Sequence, residues 1–148
     1  VMRLVGSEMC IRDSSWYGRV LVERVEGFCK EREWKNAYRE INEMEENFLH
    51  FGTVIVKFWV HIDPVEQLNR FKAREGNPKK GWKLNEEDWR NREKWKSYGE
   101  AVEEMFLRTH SPKAPWTIIE GNCKRYARIK ALDVVIKAIE EKIAYKSR

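Results

Sequence analysis

Apolar and polar positions along the chain predict strands and helices in alternation. Residues 31–49 place apolar side chains at steps of three and four, which predicts a long amphipathic helix. Residues 53–62 are almost continuously apolar, as in a strand buried on both faces of a parallel sheet. Residues 116–119 predict a second, shorter strand, and residues 123–145 predict the last helix.

The predicted helices are bounded by residues that start or stop helices. Asp63, followed by Pro64 and by Glu66 three residues on, predicts an N-terminus with a capping box for a helix reaching residue 74. A short helix over residues 15–26 is expected to end at Gly27. In the helix that begins after Asp63, the side chains expected to point inward are Val65, Leu68 and Phe71.

Another helical pattern begins at Asn85 and continues, with room for a bend, to a turn at residues 111–115. The resulting order is strand, helix, loop, helix, strand and helix, which favours an α/β domain with a parallel sheet. Ligands bind at the carboxyl ends of the strands in such sheets. We therefore expect the site near residues 15–19, Asp63 and residues 121–128.

Composition narrows the class of protein. Of 148 residues, 42% are hydrophobic and 36% are charged, which fits a well-solvated globular domain and excludes a disordered chain. The longest apolar run is interrupted by Lys57 and is too short to span a membrane. The three cysteines are widely spaced, so we expect a cytoplasmic protein without disulfides or a zinc site. The net charge of +5 favours an anionic partner without choosing between nucleic acid, nucleotide and polyphosphate.

The start of the chain differs in kind from the rest. Residues 4–14 match, residue by residue, a reading frame through a transposase adapter used in DNA library preparation. We therefore expect residues 1–14 to be an adapter-derived leader and native sequence to begin at Ser15.

The densest cationic cluster combines a helix face with the loop that follows it. Arg70 and Arg74 lie four residues apart on one helix face, and Lys79, Lys80 and Lys83 lie just beyond. Such a cluster suits a polyanion, because phosphoryl transfer requires positive charge around the transferred group. A solvated charged surface is the alternative interpretation.

A second basic segment opens the last predicted helix. Lys124 and Arg128 lie four residues apart on one face of that helix, directly after Asn122. The N–H groups at the helix start and these cations can face a nucleotide or phosphate. Capping of the helix by Asn122 is an equally supported reading, and the two roles are compatible.

Three separated segments together resemble the polyphosphate kinase 2 family over residues 15–143. They are Ser-Trp-Tyr-Gly-Arg at residues 15–19, Arg-Phe-x-x-Arg with a Trp-Lys pair within residues 70–83, and Ala-Pro-Trp followed by Asn-x-Lys-x-x-x-Arg within residues 114–128. Their order and spacing agree with the family, in which Asp is usual at the positions of Asn77 and Cys123.

The resemblance implies a thymidylate kinase-like P-loop fold, which is a three-layer α/β domain with a parallel sheet and a helical lid over about residues 74–96. It implies phosphoryl transfer between inorganic polyphosphate and a nucleotide, either AMP or ADP or their counterparts GMP and GDP, with Mg²⁺. Parent enzymes of this kind often form homo-oligomers, although nothing in the sequence identifies an interface.

The resemblance also implies roles for individual residues. Asp13 aligns with the Walker B carboxylate that holds the metal, a match that is accidental in an adapter-derived leader, and Ser14 replaces a phosphate-binding Arg. The residues implied to act in catalysis are Arg19, Arg70, Arg74, Lys80 and Lys83. Those implied to bind nucleotide or phosphate are Glu23, Asn122, Lys124 and Arg128.

The chain contains neither a Gly-x-x-x-x-Gly-Lys pattern nor the family's Gly-x-Asp-x-x-Gly-Lys variant. The backbone nest and Lys that cradle phosphate in P-loop enzymes are therefore absent from these residues, and so are the first strands of such a sheet. We expect the 148 residues alone to have no phosphotransferase activity.

Two other functions stay open at this point. An ATP-dependent nucleoside monophosphate kinase would use a different phosphoryl donor. A basic nucleic-acid-binding module would use the net charge and the Trp-rich residues 79–96, since aromatic rings can stack on bases. The helical spacing of those Trp residues favours inward packing instead, so we expect no nucleic-acid partner and no membrane partner.

Overall fold

The computed structural model of the chain describes residues 16–77 and 86–146. The predicted site residues Asp13, Lys80 and Lys83 lie outside the described residues. The elements are a 3₁₀ helix Trp16–Val20, α1 Val22–Glu26, α2 Glu31–His50, β1 Lys57–His61, α3 Pro64–Glu75, α4 Glu86–Glu93, α5 Trp95–Thr109, β2 Trp116–Glu120 and α6 Lys124–Lys146.

The two described strands form a parallel sheet with helices on both faces. Their register places Lys57 opposite Trp116. On one face, the Trp116 ring contacts Phe106 of α5, with ring centroids 5.4 Å apart. Thr117 points to the other face, because side chains alternate along a strand, and it lines a cavity of about 480 Å³ together with Val134 of α6. These contacts confirm the α/β layering around a parallel sheet.

The main core lies between the 3₁₀ helix, α2 and α5. Helix α2 forms where the amphipathic pattern predicts it, and one of its faces is buried. Met105 of α5 and Val20 are fully enclosed. The buried members of this core are Tyr17, Val20, Ala37, Tyr38, Ile41, Val102 and Met105. Tyr17, from the Ser-Trp-Tyr-Gly-Arg segment, is therefore a core residue.

Strand β1 is shorter and more exposed than the prediction over residues 53–62. Only Lys57–His61 is a strand, and Val60 is 62% exposed. The expectation of burial on both faces is therefore wrong for this strand. Within the described residues, β1 pairs with β2 along one edge. On the other edge, the described part of the chain places no strand whose side chains would help to cover Val60.

The start of α3 confirms one half of a predicted capping box. Asp63 Oδ1 accepts a hydrogen bond from the Glu66 N–H at 2.7 Å, and Pro64 occupies the first turn. The reciprocal bond predicted from Glu66 is wrong, because Glu66 Oε1 accepts from Arg70 Nε at 2.6 Å instead. Val65 is 68% exposed and does not face inward, whereas Phe71 is buried as expected.

Two predicted helices are divided. The segment predicted as one helix over residues 15–26 is a 3₁₀ helix and α1, joined at Leu21, and its β-branched valines account for its weak helical preference. Gly27 ends it with φ of 75°, a left-handed conformation that glycine adopts without steric cost. The bend expected after residue 85 lies at Lys94, between α4 and α5.

Candidate functional site at the carboxyl ends of the strands

The loops that follow β1 and β2 meet at the edge where the sequence places the site. Asp63 N donates to Asn122 Oδ1 at 3.2 Å, and Asn122 Nδ2 donates to Asp63 Oδ2. The Glu66 N–H, followed by the Asn122 amide, holds the pKa of the Asp63 carboxyl below its ordinary value. Both oxygens of this carboxylate are thus occupied by protein donors.

Gly121 allows the second loop to approach the first. Its N–H donates to the His61 carbonyl at 2.6 Å. A Cβ at this position would lie 2.8 Å from Ile62 Cγ2 and 3.0 Å from the His61 carbonyl oxygen. Only glycine fits this close backbone approach without displacing its neighbours.

Arg70 joins helix α3 to the same loop. Its Nε donates to Glu66 Oε1 at 2.6 Å, and its Nη2 donates to the carbonyls of Gly121 at 2.6 Å and Asn122 at 3.1 Å. The side chain is only 20% exposed. The structure therefore brings Arg70 into the site, with three of its N–H donor contacts made to protein acceptors. We call Asp63, Glu66, Arg70, Gly121 and Asn122 the strand-end cluster.

Three predicted cations adjoin the strand-end cluster and differ from Arg70 in their surroundings. Arg74 lies one turn beyond Arg70 on α3, and Lys124 and Arg128 lie exposed in the first two turns of α6. Within residues 16–77 and 86–146, none of the three has a side-chain hydrogen bond or ion pair. Asn122 does not cap α6 as one reading expected, because its side-chain oxygen accepts from Asp63.

Arg19 and Glu23 form a separate pair. Arg19 Nε lies 2.7 Å from Glu23 Oε2, and both side chains are partly exposed. Among the residues the structure describes, no hydrogen bond or ion pair connects either of them to the strand-end cluster. Their predicted roles in catalysis and nucleotide binding therefore remain predictions.

The described part of the chain contains no group of three or more His, Cys, Asp or Glu side chains that could hold a metal ion. Asp13, the one predicted metal ligand, lies outside the described residues. In that same part of the chain, no helix is both long enough and apolar enough to cross a membrane.

One polar cluster was missed by the sequence reasoning, which treated Lys57 only as an interruption of an apolar run. Lys57 Nζ donates to Glu45 Oε2 and to the Thr109 carbonyl, each at 2.7 Å, and the Tyr17 hydroxyl donates to Glu45 Oε1 at 2.6 Å. Burial lowers the pKa of Lys57 and raises that of Tyr17. A lysine inside a strand is the signal that could have indicated a buried partner.

The sequence and the fold have counterparts in known proteins. A family model described as polyphosphate kinase 2 matches residues 4–147. The chain belongs to the polyphosphate kinase 2 family. The earlier resemblance is thereby confirmed, and it extends over nearly the whole chain.

Similar proteins with curated names act on polyphosphate. The chain is 55% identical over 134 residues to a polyphosphate:AMP phosphotransferase of Pseudomonas syringae, covering 90% of this chain and 27% of the relative. It is 39% identical over 134 residues to NDP-polyphosphate phosphotransferase 1 of Ruegeria pomeroyi, covering 90% of this chain and 44% of that relative. The chain therefore spans between about a quarter and a half of the length of these relatives.

Solved structures support the fold. The chain superposes on a polyphosphate kinase 2 crystal structure from Pseudomonas aeruginosa with a TM-score of 0.85 and 52% identity, covering 90% of this chain and 28% of that one. A polyphosphate kinase 2 from Arthrobacter aurescens gives 0.80 and 34% identity, covering 84% and 44%. At this identity and score, the P-loop kinase-like α/β fold is shown.

Two of the Trp residues that could support nucleic-acid binding are engaged within the fold. Trp89 contacts Phe71 with ring centroids 5.1 Å apart, and Trp95 contacts His61 at 6.5 Å. Both side chains are half-buried. Their packing favours the structural reading of the Trp spacing over base stacking.

Proposed function

We propose that this member of the polyphosphate kinase 2 family moves a phosphoryl group between inorganic polyphosphate and a nucleoside mono- or diphosphate. The observation that carries the proposal is that Arg74, Lys124 and Arg128, on the two helices that Arg70 connects, have no side-chain partner among the described residues. These cations suit a polyanion, whereas the paired Arg19 and Arg70 are already engaged with protein groups.

The proposed reaction requires these residues to position the phosphates and to stabilise their charge. Phosphoryl transfer needs little covalent participation from the protein, so positioning and electrostatic stabilisation carry most of the catalysis. The strand-end cluster fixes the loop from which α6 begins, and that loop orients Lys124 and Arg128. Arg74 lies in the last turn of α3, one turn beyond Arg70.

The relatives favour AMP as the acceptor. Proteins named polyphosphate:AMP phosphotransferase are 51–55% identical to this chain, whereas the proteins named for nucleoside diphosphates are 37–40% identical. We therefore place AMP before ADP, GMP and GDP as the nucleotide partner.

We further propose that Mg²⁺ accompanies the polyanionic substrates and that the protein acts in the cytoplasm. Mg²⁺ is commonly bound through substrate phosphates and one or two carboxylates. Because the described residues do not supply a carboxylate cluster for it, we assign no catalytic step to the metal.

A chimera tests the proposed activity. Residues 16–146 would replace the equivalent segment of the polyphosphate:AMP phosphotransferase of Pseudomonas aeruginosa, which is 52% identical to this chain. We expect ADP formation from AMP with polyphosphate as donor. Activity with ATP alone would contradict the proposal and support a nucleoside monophosphate kinase.

Binding by the chain itself gives a measurement that does not depend on the chimera's folding. We expect tripolyphosphate to bind, with an affinity that falls steeply as salt rises. The double variant Lys124→Gln/Arg128→Gln should weaken binding, whereas Lys35→Gln, which removes an exposed charge of α2 that is paired with Glu31, should not. Binding of single-stranded DNA that tripolyphosphate cannot displace would favour the nucleic-acid module instead.

A further inference from the structure

Arg70 was expected to contact phosphate, and its surroundings indicate a different role. Three contacts connect its Nε and Nη2 atoms to Glu66, Gly121 and Asn122, all within 3.1 Å. An Arg guanidinium has five N–H donors in a rigid plane, so these contacts fix both its position and its orientation.

The charge of Arg70 is balanced within the protein. Glu66 lies one helical turn before it on α3, and the two side chains form an ion pair at 2.6 Å with 20% and 30% exposure. Two carbonyl oxygens accept from Nη2 on the other side. A phosphate oxygen would have to compete with these acceptors for the same donors.

Two of the three acceptors belong to the loop that leads into helix α6, which carries Lys124 and Arg128. Gly121 and Asn122 connect β2 to α6, so Arg70 bonds α3 directly to the point where α6 begins. The Asn122 side chain is in turn held by Asp63, at the start of α3. Helix α3 thus holds this loop at both ends of its first two turns.

We infer that Arg70 is a positioning residue, which holds the β2–α6 loop so that Lys124 and Arg128 face the phosphate, and that Arg74 is the arginine of α3 that contacts the phosphate. This inference rests on the proposed function for the identity of the ligand. The hydrogen bonds from Arg70 to Glu66, Gly121 and Asn122 do not depend on the identity of that ligand.

Nuclear magnetic resonance of the ¹⁵N-labelled chain can separate the two arginines. The Nε–H signal of each Arg and the side-chain NH₂ signal of Asn122 would be followed while tripolyphosphate is added. We expect the Arg74 signal to shift and the Arg70 signal to stay in place. A shift of Arg70 equal to or larger than that of Arg74 would overturn the assignment.

Matched substitutions test the positioning role. Arg70→Lys keeps the charge but loses the planar fork, so we expect the Asn122 NH₂ signal to move before any ligand is added. Arg74→Lys should leave the Asn122 signal unchanged, and Arg74→Gln should weaken tripolyphosphate binding by about three- to tenfold while also leaving that signal unchanged. An Asn122 signal unaffected by Arg70→Lys would refute the proposed positioning of the β2–α6 loop by Arg70.

The design distinguishes failure of this inference from failure of the proposed function. If tripolyphosphate shifts no signal, the proposed ligand is wrong for this chain and the assignment of Arg74 to phosphate fails with it. The Asn122 signal in Arg70→Lys still decides the positioning role. If Arg70→Lys does not fold, Glu66→Gln, which removes only the charge of the partner, is expected to move the same Asn122 signal.

Discussion

Asn122 and Asp63 exchange two hydrogen bonds although 59 residues separate them in the sequence. Each follows a parallel strand, and the carboxyl ends of such strands lie side by side. The pair therefore fixes the position of the loop between β2 and α6 relative to the end of β1. Because the Asp63 side chain also caps α3, one carboxylate positions two helices.

Replacing Asn122 should destabilise the fold through this pair. Asn122→Ala removes the amide that serves both bonds, leaving the Asp63 N–H and one carboxylate oxygen to water. We expect a measurable loss in the free energy of unfolding, followed by urea titration, that is limited because water can replace the lost bonds at this exposed pair. Asn69→Ala, on the exposed side of α3, is the control and should lose nothing. Equal effects of the two substitutions would contradict a specific role for the pair.

Asn122→Ala should also change how the unfolding free energy depends on pH in the acid range. The pKa of Asp63 is lowered in the folded state by the Glu66 N–H and then by Asn122, so its contribution is present above the ordinary Asp pKa and is lost as the pH falls through the folded value. Asn122→Ala removes one of these donors. The decline of unfolding free energy below about pH 4 should therefore be shallower in Asn122→Ala than in the parent chain.

Gly121 provides a test of close backbone approach. Gly121→Ala would bring a Cβ within 3.0 Å of backbone and side-chain atoms at the end of β1, so we expect a loss of about 1–3 kcal/mol in unfolding free energy. Gly99→Ala is the matched control. Its Cβ would meet no atom within 4 Å, and it lies inside α5, where Ala is favoured over Gly by about 0.5–1 kcal/mol. The two substitutions should act in opposite directions in thermal unfolding, and destabilisation by both would count against the argument from close approach.

Local patterns in the sequence predicted much of this architecture. The spacing of apolar residues in α2 and the helix-start residues Asp63 and Pro64 locate helices correctly, because both signals depend only on residues close in sequence. The parallel pairing and the meeting of Asp63 with residues 121–128 followed from the order of elements. These features need no knowledge of individual contacts.

What the sequence did not predict depends on partners distant along the chain. The Glu66 carboxylate could accept from either of two donors, the Asp63 N–H of a capping box or the Arg70 guanidinium, and the tertiary placement of Arg70 decides for the second. The exposure of Val60 depends on which edge of β1 is paired. The resemblance named Arg70 and Arg74 together, and only the coordinates show that their surroundings differ.

The buried Tyr17–Glu45–Lys57 cluster predicts sensitivity to alkaline pH. Burial, followed by the hydrogen bond to Glu45, raises the pKa of Tyr17 above its ordinary value near 10. Its contribution is thus complete below pH 10 and is lost as the pH rises further, because the unfolded chain releases the proton first. One such group lowers the unfolding free energy by up to about 1.4 kcal/mol per pH unit.

Tyr17→Phe removes this titration and should make stability fall less steeply between pH 10 and 11. Below pH 10 the same variant should be less stable by about 1–3 kcal/mol, because buried Glu45 loses a donor. Tyr126→Phe, which changes an exposed ring on α6, is the control and should follow the parent curve. Identical alkaline slopes for the parent chain and Tyr17→Phe would exclude Tyr17 as the titrating group.

The last prediction concerns catalysis by the 148 residues themselves. They contain no Gly-x-x-x-x-Gly-Lys pattern, the motif whose backbone nest and lysine hold the phosphate chain during transfer in P-loop enzymes. We expect tripolyphosphate binding through Lys124 and Arg128 but no ADP formation from AMP and polyphosphate. The chimera described above is the positive control, since it combines the same strand-end cluster with a relative's remaining sequence. Turnover by the chain alone, at a rate comparable with that of the chimera, would show that the strand-end cluster and its cations suffice for the reaction.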